Sequence, residues 1–164
     1  MRAAGNTGRE PAGRRLYLVD IENMVGNRDG RVSRDEVDRM RQAVMAHMPV
    51  GEGDQVVIGT GHSDNLLNAS VWRHVRHVFR RGHNGADLAL LDVADREDIA
   101  ARFSGVVLCS GDGIFADAMR RLRAQGCQVS ILTGIGLISS ALYHAADTVL
   151  RLAMPASATF QATA

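Results

Sequence analysis

Short apolar runs alternate with amphipathic stretches along most of the chain, and that alternation predicts the elements. Leu16-Tyr17-Leu18-Val19 reads as a first strand ending on Asp20. Ser33 to Met48 carries Val37, Met40, Val44 and Met48 at helical spacing. Ser33 can cap that helix, with Glu36 three residues on completing a capping box. Gln55 to Ile58 predicts a second strand and Asp64 to Trp72 a short helix. Val75 to Phe79 alternates apolar and basic residues as an edge strand would. A helix over Ala86 to Asp98, a strand over Val106 to Cys109 and a helix over Phe115 to Gln125 follow, the last closed by Gly126. Val129 to Leu132, Leu137 to Ala146 and Thr148 to Leu152 complete the series as strand, helix and short strand.

Alternating strands and helices predict a three-layer α/β/α domain around a mostly parallel sheet, with right-handed crossovers. The expected order of the first five strands is 3-2-1-4-5. The domain is expected over residues 15–152. Residues 1–14 and 153–164 read by composition as a disordered arm and tail. The 164 residues suit a single core.

Composition narrows the chemistry. All 19 basic residues are Arg, with no Lys, against 18 acidic ones, for a net charge of +1. Nucleic-acid binding must therefore come from a local patch. The absence of Lys excludes a Walker A loop and a pyridoxal Schiff base. It also argues against receiver domains and haloacid-dehalogenase-type phosphatases, which need a Lys beside the acyl phosphate. Cys109 and Cys127 lack metal-ligand spacing and read as buried thiols of a reducing compartment, which suggests a cytoplasmic protein. No apolar run approaches the ~20 residues of a membrane helix, and no membrane partner is expected.

In an open parallel sheet, ligands gather outside the carboxyl ends of the strands. There the first and fourth strands deliver Asp20 and Asp112, and Asp87 opens the helix after the third. Neighbouring carboxylates need a counter-charge. Without Lys, that is Arg or a hard divalent cation such as Mg²⁺ or Mn²⁺. Each Asp could equally be a turn or helix cap. Between Trp72 and His83 lies the densest basic segment, with Arg73, Arg76, Arg80, Arg81 and His83. It suits single-stranded RNA through phosphate contacts and stacking. The same residues also suit a charged edge strand, with Trp72 and Phe79 in the core.

Three segments, Leu16 to Asn23, Asn84 to Leu90 and Ser110 to Phe115, resemble the NYN domain of the PIN-like nuclease superfamily in order, spacing and placement. The resemblance implies a metal-dependent ribonuclease, an endonuclease by preference. Asp20, Asp87 and Asp112 would be its metal-binding acids. Asn23 would orient water or substrate, and Ser110 would bond near the phosphate or to Asp112. Asn84 joins the basic segment as a substrate contact. Where the family often carries a second Asp, two residues after Asp112, this chain has Ile114. Asp117 or Asp92 would then be the substitute ligand. The same departure leaves open an inactive NYN domain that binds RNA or protein, and a homodimer is compatible with either reading.

Overall fold

A computed structural model describes residues 13–153; the remainder of the expected arm and tail lies outside the described residues. Six strands form one sheet in the order β3-β2-β1-β4-β5-β6, and every neighbouring pair is parallel. They are β1 (Arg15–Asp20), β2 (Gln55–Thr60), β3 (Arg76–Phe79), β4 (Gly105–Cys109), β5 (Gln128–Thr133) and β6 (Thr148–Arg151). The expected order of the first five holds, and the last short strand pairs with β5 at the far edge.

Residues on β1 alternate between two cores. Leu16 and Leu18 face α4 (Gly85–Arg96) and α6 (Ala116–Ala124), where Leu90, Met119 and Leu122 are buried. Tyr17 and Val19 face α2 (Arg34–His47) and α3 (Ser63–Ala69), among Val37, Met40, Val44 and Trp72. Because β1 is covered on both sides, it reads as a continuous apolar run, as a parallel central strand does. Trp72 is a core residue, 5% exposed.

The capping box at Ser33 forms as expected: its hydroxyl accepts from Glu36 N, and Glu36 accepts from Ser33 N at 2.8 Å. Two short helices escape the periodicity. α1 (Ile21–Val25) is capped by Asp20 and stopped by Gly26 at φ 73°. α5 (Ile99–Arg102) follows Asp98, whose left-handed φ of 55° breaks the helix expected to continue to that residue. The helix expected from Leu137 is α7 (Ser140–Ala145), which starts late. Ser139 is held extended with its N–H on Gly111 O, and Leu137 stays in the loop, 90% exposed. Arg14, expected at the end of the arm, accepts a hydrogen bond from Ser104 N through its carbonyl, and its guanidinium covers Phe103.

A close helix-to-sheet approach lies at Gly59 on β2, in register with Asp20. A Cβ there would stand 2.6 Å from Leu90 Cγ and 2.9 Å from Ala86 O. At Gly85 a Cβ would stand 1.8 Å from Arg80 O. These bare positions let the first turn of α4 rest on the sheet. Gly59→Ala is expected to destabilise the fold by about 1–3 kcal/mol, read as a lower urea midpoint. An unchanged midpoint would mean that α4 can lift without cost.

Candidate active site

The carboxyl ends of β1 and β4, with the N-terminus of α4, enclose a crevice of about 170 Å³ lined by Asp20, Glu22, Asn23, Asn84, Asp87 and Asp112. Asp20 is 2% exposed. Its Oδ1 accepts from Asn23 N (3.1 Å) and its Oδ2 from the Ser110 hydroxyl (3.3 Å). Ser110 Oγ in turn accepts from Asp112 N (3.2 Å), and Asp112 Oδ1 accepts from Ile114 N (3.0 Å). Asn23 Oδ1 accepts from Gly111 N (2.9 Å), which ties the loop after β1 to the loop after β4. Asp20 and Asp112 thus cap short helical turns, as strand-end acids commonly do, and also line the crevice.

The Asp20 and Asp87 carboxyls face each other closely enough that a proton on one would let it hydrogen-bond to the other. Burial pushes Asp20 well above the usual carboxylate range. Its bond to Asp87 and that group's charge push the same way, against the bond from Asn23 N. Asp87 is also raised, chiefly by burial. The bond to Asp20 and the nearby His83 oppose that rise, while the charges of Asp112 and Glu22 add to it. Without a cation, burial and mutual repulsion both favour a proton on the pair.

None of the four crevice carboxylates has an ion-pair partner among the described residues. Nor do three or more His, Cys, Asp or Glu side chains among those residues converge on a ready metal cage. The donors are all oxygen, which fits a hard cation that keeps much of its water and takes one or two carboxylates directly.

The other expected site residues divide by position. Arg80, Arg81, His83 and Asn84 are exposed on the loop that leads from β3 to α4, beside the crevice. Arg80 and Arg81 make no side-chain ion pair among the described residues. Arg76 sits elsewhere: in register with Val57, it lies below the carboxyl edge and pairs with Glu97 at 2.6 Å. Arg73 precedes β3 and lines a separate groove with Arg41 and Trp72. Asp92 pairs with Arg96 on the outer side of α4, and Asp117 pairs with Arg120 on α6, so neither lines the crevice. Ser110 is fully buried and joins Asp20 to Asp112 rather than offering itself to a ligand. The residue missed from the sequence is Glu22. Its position two residues past the strand-end Asp would have marked it, had the five-residue α1 been legible.

An all-parallel sheet in this order, with acids at the crossover between β1 and β4, is a doubly wound α/β domain consistent with the PIN-like class. The chain belongs to the NYN domain family, whose model matches residues 16–153. Its fold is similar to the crystal structure of a protein of unknown function from Vibrio parahaemolyticus. That likeness has a TM-score of 0.58 and 17% identity, over 87% of this chain and 94% of the other. No curated protein shows a significant match.

The raised carboxyls give a signed pH effect. An unfolded Asp ionises near its usual value of 3.8, while the folded pair keeps its proton to higher pH. The native state then binds more protons, and this site's contribution to stability falls as pH rises above about 4. In EDTA, Asp20→Asn is expected to be more stable than wild type at pH 7, with the difference shrinking toward pH 4. Denaturation midpoints across that range check it, and a difference independent of pH would contradict it.

Proposed function

We propose that this protein is a divalent-cation-dependent ribonuclease that cleaves single-stranded RNA internally at the Asp20–Asp87–Asp112 crevice. The observation that carries the reading is the buried Asp20–Asp87 pair with Asp112 beside it, none of them in an ion pair with Arg among the described residues. Membership of a nuclease superfamily supports the same reading. Asp20 and Asp87 would hold Mg²⁺ or Mn²⁺, with Asp112 completing the acidic wall. When bound, such a cation polarises a phosphoryl oxygen and acidifies a water.

The chain's own groups supply orientation. Asn23 Oδ1 is engaged by Gly111 N, which turns its Nδ2 donors toward a substrate oxygen. Ser110 keeps Asp20 and the Asp112 backbone in register. Arg80, Arg81 and His83, with Asn84, would hold the flanking phosphates at the rim. The free, buried Cys109 and Cys127, their thiols pushed up by burial, suit the reducing cytoplasm. Among the described residues no helix is long and apolar enough to cross a membrane.

Labelled single-stranded RNA is expected to be cut with Mn²⁺ or Mg²⁺ and left intact with EDTA. Asp112→Asn and Asp20→Asn are each expected to lower the rate more than about 100-fold, matching several kcal/mol of transition-state stabilisation. Cleavage that survives EDTA or both substitutions would sink the proposal. RNA bound but never cut would replace it with the binding-module reading. Replacing Arg80 and Arg81 together by Ala is expected to weaken RNA binding. The slope of log affinity against log salt should fall by about 1.4, two phosphate contacts on a single strand. An unchanged slope would remove both residues from the interface.

A further inference from the structure

Glu22 lies in the first turn of α1, half-buried in the crevice wall, and its two carboxylate oxygens are unlike. Oε1 accepts three hydrogen bonds, from Gly61 N (2.7 Å), His62 N (3.2 Å) and Asn65 Nδ2 (2.8 Å). Oε2 accepts none among the described residues. Three donors on one oxygen fix the carboxylate plane, so the direction of the free oxygen is fixed as well.

The anchor is itself rigid. Asn65 is fully buried, and its amide is used on both sides. Its Oδ1 accepts from Val32 N (2.9 Å), and its Nδ2 donates to Gly30 O (2.7 Å) as well as to Glu22. Gly61 is bare where the carboxylate passes, since a Cβ there would stand 3.1 Å from Oε2. Two residues after Asp112, Ile114 is exposed and supplies no ligand atom. The acid that the NYN resemblance leads one to expect there is missing, while an unexpected one, Glu22, lines the crevice.

We infer that Glu22 is a fourth carboxylate of the crevice, offering its free Oε2 to the hydration shell or coordination sphere of a divalent cation held by Asp20 and Asp87. The inference rests on the cation-dependent reading above. Like charges gathered around one small cavity oppose each other until a cation enters. A group that contacts bound water typically contributes tenfold to a hundredfold in metal affinity.

The test is calorimetric titration of the full chain with Mn²⁺ alone, comparing wild type, Glu22→Gln and Asp20→Asn, with urea midpoints measured in EDTA. Glu22→Gln keeps an acceptor for the three donors and removes the charge. It is expected to bind Mn²⁺ about 10- to 100-fold more weakly, with a midpoint close to wild type. Wild-type Mn²⁺ affinity in folded Glu22→Gln overturns the inference and leaves the cation-dependent reading standing. Failure of the wild type to bind Mn²⁺ overturns both. If Glu22→Gln does not fold, Glu22→Ala is titrated in its place, and wild-type affinity in that folded variant is equally fatal.

Discussion

The candidate site depends on how closely α4 can approach the sheet. Gly59 offers no side chain where Leu90 and Ala86 press on β2, and Gly85 offers none beneath Arg80 O. The first turn of α4 therefore sits low enough to bring the Asp87 carboxyl up against Asp20 at the crevice. Any lift of that helix by the width of a methyl group would part the two acids. The same contact is electrostatically unfavourable while both groups are charged. Packing energy distributed over Leu90, Val93 and their neighbours thus offsets a local penalty at the crevice.

Around this pair the polar groups are ordered by one continuous chain of hydrogen bonds. Ile114 N, Asp112, Ser110 and Asp20 are linked in series, and Asn23 closes a second bridge to Gly111. Asp20, Glu22 and Asp112 are each held by neutral donors, backbone N–H groups with a buried hydroxyl or an amide, rather than by a cation. Neutral donors fix direction without neutralising charge, and the crevice keeps its negative potential for an incoming ligand. The nine ion pairs of the described residues lie elsewhere. Arg76, Arg96 and Arg120 belong to those pairs, whereas Arg80 and Arg81 at the rim do not.

The strands and their order were legible because two-sided burial writes a parallel strand as an unbroken apolar run, as in Leu16 to Val19 and Val106 to Cys109. The rule that ligands collect at carboxyl ends then picked out Asp20, Asp87 and Asp112, which line one crevice. What escaped was set by features with no period. Asp98 turning left-handed, Ser139 captured by Gly111 and the two caps that bound the five residues of α1 are all local features of single residues. Glu22 and Asn65 escaped for the same reason, since their bond joins segments 43 residues apart. Arg73 and Arg76 belong to the same basic segment as Arg80 and Arg81, but the register of β3 places them short of its carboxyl end.

The bridges across the crevice have one more consequence, which lies in time rather than in space. Ser110 and Asp20 are 90 residues apart in the chain, and Gly111 and Asn23 are 88 apart. β1 emerges first from the ribosome, yet one of its two sheet partners, β4, is among the later strands to be made. A nascent chain that stops short of β4 holds Asp20 without Ser110, Gly111 or Asp112, and its acids have no common wall. Non-local closure of this kind is the slow part of folding a parallel sheet. The crevice is therefore absent until most of the domain has been synthesised and has collapsed around its central strand.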